Sequence, residues 1–210
     1  MRRRLTLLGL LFSLAGCNLV YSERPLFGPE DAAGDAPLRT GIWLERDPGC
    51  QFDETRPVRR WPKCADWMLV RRAQLLALET GPRTWTVYEY VLAAGRPRVL
   101  QVAVTDAEAA DHRLAYYYLG LDPVRLDPQG RIVEYRQWAA ECGPPPPPGA
   151  PGQPRRSLTD HPLPGLTPAP DADHPDDCRA DSATSVRDAA KATAAWAAPN
   201  DWRWVRDGEG

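Results

Sequence analysis

Histidine is scarce in this 210-residue chain: His112, His161 and His174 are the only three. That leaves little imidazole for acid–base work or for metal ligation. No G-x-S-x-G, H-E-x-x-H, P-loop or dinucleotide fingerprint occurs, so acyl transfer, zinc hydrolysis and nucleotide chemistry have no recognisable seat. The cysteines never form a C-x-x-C pair, which removes the usual zinc spacing. A formal net charge of −2 excludes a surface built to neutralise nucleic-acid phosphates. No stretch alternates strands with helices behind a Gly-rich turn, and no repeat of fixed period is present. Long hydrophobic runs are also missing. The best, Leu5 to Leu14, would span only about 15 Å as a helix, half of a bilayer core. What remains is 43% hydrophobic residues, enough to build a core, with 23 prolines, 8 tryptophans and an odd count of 5 cysteines.

The first segment accounts for the odd cysteine. Arg2-Arg3-Arg4, the apolar run Leu5–Leu14 and the small residues Ala15-Gly16 are the parts of a secretory signal peptide. Leu14-Ala15-Gly16-Cys17 resembles the lipobox of bacterial lipoproteins, and the whole chain resembles lipoproteins of high-GC Gram-negative bacteria. The resemblance implies cleavage after residue 16, lipid on the Cys17 thiol and acylation of the new amino terminus. It also implies a place in the cell envelope. Asn18 after the cysteine, rather than Asp, favours the periplasmic face of the outer membrane over the inner membrane. Loss of the signal leaves 23 basic against 28 acidic residues, so acyl chains rather than body charge would hold the membrane.

Residues 17–39 carry Pro25, Gly28, Pro29, Gly34 and Pro37 and read as an irregular lipidated tether, with Leu26-Phe27 apolar enough to dock. Residues 40–210 read as one β-rich domain. Strand chemistry recurs at Gly41–Leu44, Trp67–Val70, Thr84–Leu92, Val99–Val104, Arg113–Leu121 and Arg131–Ala139. Asp127-Pro128-Gln129-Gly130 is a type I turn signal, and Ala93 to Pro97 is a hairpin turn. A Pro-rich insertion occupies 143–177. Ser182 to Trp196 has helical periodicity, and Trp202–Val205 reads as a closing strand. The expected fold is mainly β (antiparallel sheet, sandwich or barrel) with one C-terminal helix, and α+β is the alternative.

With Cys17 lipidated, Cys50, Cys64, Cys142 and Cys178 form an even set in an oxidising compartment. Three pairings are possible. Cys50–Cys64 with Cys142–Cys178 closes the nearer loops and staples the Pro-rich insertion. The segment Cys50 to Trp67 suggests aromatic packing around the first bond through Trp61 and Trp67. Its Arg56, Arg59 and Arg60 would bind an anion or balance Asp53 and Glu54. Asp171 to Asp177 (DADHPDD) reads as a solvated acidic loop without EF-hand spacing.

Gly41-Ile42-Trp43 is similar to the G-x-W that opens lipocalins, and the late helix matches them too. That resemblance implies an eight-stranded barrel holding a small apolar or amphipathic ligand. A cavity lined by Trp85, Tyr88, Tyr90 or Tyr117 would carry this function, and a solid core would oppose it. No catalytic residue, metal site or cofactor is expected, and the chain reads as no enzyme. The expected partners are the membrane, through acylated Cys17, and an envelope protein or a small ligand. The leading expectation is a lipid-anchored envelope protein of structural or interaction type.

Overall fold

The computed structural model describes residues 18–32, 34–78, 85–104, 115–144, 161–169 and 176–208. Cys17, the signal-like segment, His112, His174 and most of the Pro-rich insertion lie outside the described residues. Eleven strands are described: β1 (Val20–Ser22), β2 (Gly41–Glu45), β3 (Trp67–Arg71), β4 (Gln74–Leu78), β5 (Trp85–Ala93), β6 (Arg98–Ala103), β7 (Tyr116–Leu126), β8 (Ile132–Ala139), β9 (Leu166–Pro168), β10 (Cys178–Ala180) and β11 (Asn200–Arg206). One α-helix, α1 (Ala183–Thr193), stands before the last strand.

Eight of the strands close into an antiparallel barrel in the order β2-β3-β4-β5-β6-β7-β8-β11, with β11 returning to β2. Closure leaves the barrel itself without a free edge. The three short strands extend outward from the start of β7 in the order β1-β10-β9. One barrel end carries the tips Glu45, Trp67, Ala103, Tyr116 and Ala139. The other carries the Arg72–Ala73, Ala94–Pro97 and Asp127–Gly130 turns.

Side-chain alternation separates the interior from two outer clusters. Inward-pointing residues include Tyr88, Tyr90 and Leu92 on β5, Leu100 and Val102 on β6, and Tyr117, Leu119 and Leu121 on β7. Trp43, Met68, Val70, Tyr135 and Trp202 complete that core. On the outside of β6 and β7, Val99 and Tyr118 pack beneath α1, Phe27 and the Cys142–Cys178 bond. Outside β2, β3 and β4, Ile42, Leu44, Leu69 and Leu76 are covered by Phe52, Val58 and Trp61 from the loop closed by Cys50–Cys64. Phe52, Trp61, Trp67 and Trp85 form a chain of ring contacts at 5.0, 6.1 and 5.5 Å. Arg56 pairs with Asp53 at 3.4 Å, and Glu54 is engaged by Arg203, so two of the loop's acids are balanced. Arg206 lies over the Trp61 ring at 5.5 Å.

G-x-W has a packing reason here. Gly41 has φ +135°, and a Cβ there would lie 2.4 Å from Arg206 O and 2.5 Å from Trp204 Nε1. Only glycine tolerates both the backbone angle and the approach. Trp43 is fully buried against Tyr135 at 5.0 Å, and its Nε1 donates to Arg39 O at 2.8 Å. Arg39 in turn lies 3.4 Å over the Trp204 ring. Together with Leu38, which bridges to Ile132, these residues strap the second end of the barrel.

The tether expectation is corrected in part: Phe27 docks as its apolar character implies, but the chain before it is not irregular. Val20, Tyr21, Phe27 and Leu38 are buried, and β1 pairs with both β7 and β10. The reason is apolar content that proline and glycine spacing conceals, together with Gln101. That side chain accepts from Leu26 N at 2.8 Å and Phe27 N at 3.0 Å, and donates to Phe27 O at 2.9 Å. Asp177 also departs from a solvated loop: it is buried, and its Oδ1 accepts from Leu19 N at 2.8 Å.

Two tyrosines make a contrasting pair. Tyr118 Oη bonds Ser22 Oγ at 2.5 Å, whereas Tyr135 Oη is buried with no hydrogen-bond partner among the described residues. Tyr118→Phe should lower stability by about 1 kcal/mol because Ser22 Oγ keeps only its bond to Arg24 O, at 2.6 Å, and loses the one to the phenol. Tyr135→Phe should leave stability unchanged or raise it by up to about 1–3 kcal/mol, since an unmet desolvation cost disappears. Urea unfolding of both variants checks this, and equal losses would contradict it.

Candidate functional site

A ligand lumen would sit in the barrel interior. Tyr88, Tyr90 and Tyr117 point inward, but they meet Trp202, Met68, Leu75 and Leu100 rather than an open space. The void that Tyr88 and Tyr117 border with Met68, Leu75, Leu100 and Trp202 measures about 20 Å³. That holds roughly one water molecule and no organic ligand. Trp85 lies on the outer wall, 43% exposed, and lines no lumen.

The large concavity is outside. A groove of about 990 Å³ runs along the outer wall of β5 and β6. Phe27, Val91, Ala103 and Tyr116 give it an apolar lining. Arg71, Arg72, Gln74 and Glu89 supply its polar rim, and the segment Pro25 to Pro29 forms one bank. Arg72 sits at φ +41° in the β3–β4 turn, where its carbonyl accepts from Tyr90 Oη at 2.5 Å. Gln101, which lines the groove, also holds that bank in place through Phe27. A polar residue within the apolar run Val99-Leu100-Gln101-Val102 was the available sequence signal for it.

A third feature is a set of acids at the first barrel end. Burial, then Asp66 and Asp47, push the Glu45 carboxyl from 4.5 up to about 7. Asp66 is raised in the same direction by burial and by Asp47. The folded chain therefore holds a proton at Glu45 that the unfolded chain releases between pH 4.5 and about 7. Stability falls as pH climbs through that window. Glu45→Gln should raise the melting temperature at pH 8 and give little gain at pH 5. An equal gain at both values would contradict the sign.

Of the residues singled out from sequence, the four cysteines come together as Cys50–Cys64 and Cys142–Cys178, with Cα separations of 5.7 and 5.5 Å. Of the three successive tyrosines on β7, Tyr117 faces inside and Tyr116 and Tyr118 face outside. His161 is exposed, and His112 and His174 lie outside the described residues. Among the described residues no group of three or more His, Cys, Asp or Glu could hold a metal ion. Also among them, no helix is long and apolar enough to cross a membrane.

No family model matches the chain, and neither a curated protein nor a solved structure matches it significantly. The barrel and its surfaces therefore stand as the basis for a functional reading.

Proposed function

We propose that this protein is a lipid-anchored module of the cell envelope that binds an envelope partner on the outer wall of a solid barrel. Cys17 bears the lipid, and the periplasmic face of the outer membrane is the proposed location. The order Leu14-Ala15-Gly16-Cys17 and two disulfides among the remaining cysteines support that placement. The observation that carries the binding mode is the contrast in volume, about 20 Å³ inside against about 990 Å³ outside.

The groove chemistry favours an extended, amphipathic segment. Apolar groups would lie along Val91 and Ala103, and polar or acidic groups would meet Arg71 and Arg72. A photo-crosslinking amino acid at Glu89, on the groove rim, should give a discrete adduct in native membranes, and one at exposed Gln129 should not. Equal adducts at both positions would contradict the proposal.

A lipocalin-like ligand barrel is the second reading, favoured by the closed eight-stranded architecture. It predicts saturable binding of a fluorescent fatty-acid analogue that survives Ala103→Arg on the outer wall. The filled interior predicts that no such binding occurs.

A further inference from the structure

We propose that the lipidated residue has no tether, so that the barrel end bearing Glu141, Cys142 and Trp196 rests directly on the bilayer. This inference relies on lipid being carried by Cys17. The chain is fixed from the very next residue. Asn18 is buried, and both its backbone oxygen and its Oδ1 accept from Cys142 N, at 2.9 and 3.0 Å. Leu19 N donates to Asp177 Oδ1, Leu19 O accepts from Cys178 N at 2.9 Å, and Val20 N donates to Ala140 O at 2.9 Å. Residues 18 and 19 are thus held by both cysteines of one disulfide. One residue of chain reaches about 3.6 Å, so an acyl-bearing Cys17 leaves no room for a water-filled gap.

The surface beside that point suits a lipid headgroup layer. Ala192 to Pro199 reads Ala-Thr-Ala-Ala-Trp-Ala-Ala-Pro, eight residues without a charge in an otherwise acidic chain. It is joined to the anchor point by Trp196 Nε1, which donates to Glu141 Oε2 at 2.7 Å, and by Glu141 N, which donates to Thr193 Oγ1 at 3.1 Å. Ala194 and Ala195 are exposed, and Trp196 is half-buried. Tryptophan with an apolar body and a polar handle favours the headgroup region. Lys191, exposed in the last turn of α1, adds a cation that anionic headgroups attract. Trp85, exposed at the start of β5, marks the same end of the barrel, where the acids Glu45, Asp47 and Asp66 stand around the end of β2 and confine the headgroup contact to the side bearing Trp196.

The opposite end points away. β8 runs eight residues from Ile132 to Ala139, about 26 Å along the strand, which places the Asp127–Gly130 turn far from the anchored end. An environment-sensitive label on Ala195→Cys and, separately, on Gln129→Cys tests this in the full acylated chain. The vesicles are phosphatidylethanolamine and phosphatidylglycerol with headgroup spin quenchers. Strong quenching is expected at residue 195, with quenching at 129 no greater than for lipid-free protein. Ten Gly/Ser residues inserted between Cys17 and Asn18 should release the quenching at 195. Equal quenching at the two positions, or no response to the insertion, in chains whose mass confirms acylation would overturn the inference alone. Chains whose Cys17 mass is unmodified would overturn the anchoring on which it rests.

Discussion

Trp43→Ala is expected to remove about 3–5 kcal/mol of stability, a large part of what a single domain holds. The indole is fully buried and packs on Tyr135 inside the barrel. Its loss would leave a cavity that a closed ring of strands cannot collapse to fill. It would also strand Arg39 O, which accepts the Nε1 hydrogen at the strapped end. Gly41→Ala should act at the same place by the opposite means, forcing a Cβ against Arg206 O at 2.4 Å with φ at +135°. Denaturant midpoints should fall steeply in both, while Ile42→Val, on the outer face, should cost only about 0.5–1.5 kcal/mol. Three similar losses would show that the G-x-W positions have no special role in closure.

Removing the second disulfide is the other large effect. The bond closes a loop of 36 residues, and loop-closure entropy assigns it about 4 kcal/mol. The first bond, with a separation of 14, is worth about 3 kcal/mol on the same basis. Cys142→Ala/Cys178→Ala should therefore destabilise the fold more than Cys50→Ala/Cys64→Ala. The two doubles should also differ in where they act. Only the first should expose the amides of Leu19 and Val20 to hydrogen exchange at low free energy, because their partners Asp177 and Ala140 flank the two cysteines. Protection at Leu19 that survives loss of the bond would contradict the clamp at the N-terminus.

Much of the barrel is legible in the sequence, and the reasons are local. Trp85–Ala93 and Arg98–Ala103 are rich in β-branched and aromatic residues, and the Asp127 turn forms its Gly130 N to Asp127 O bond at 2.9 Å. Ser182 caps α1 by accepting from Ser185 N. The choice of a barrel over a sandwich is not legible, since closure depends on β6 meeting β7 and β11 meeting β2. Gln74–Leu78 is not legible as a strand because Gln-Leu-Leu-Ala-Leu has no strong β propensity. Its identity comes from lying between β3 and β5. β1 and β10 are three residues each and owe their form to each other and to β7. The outer groove is likewise a product of assembly: Phe27, Val91, Ala103 and Tyr116 are distant in sequence and share no motif.

That the aromatic residues fill the barrel follows from size. Trp43, Trp202, Tyr118 and Tyr135 are among the largest fully buried side chains, and three of the four occupy the interior. An eight-stranded ring is just wide enough for side chains to fill or for one small ligand. Indoles and phenols inside it use that width, so the space for the proposed partner lies on the wall.

The proposed envelope role rests on lipid at Cys17, and intact-mass measurement of the chain recovered from membranes of a Gram-negative host tests it most directly. The account predicts a mature chain that begins at Cys17 and carries the mass of a diacylglyceryl group with an amino-terminal acyl chain, and a Cys17→Ser chain that carries neither and leaves the membrane fraction. An unmodified Cys17, or a Cys17→Ser chain that partitions unchanged, would contradict it.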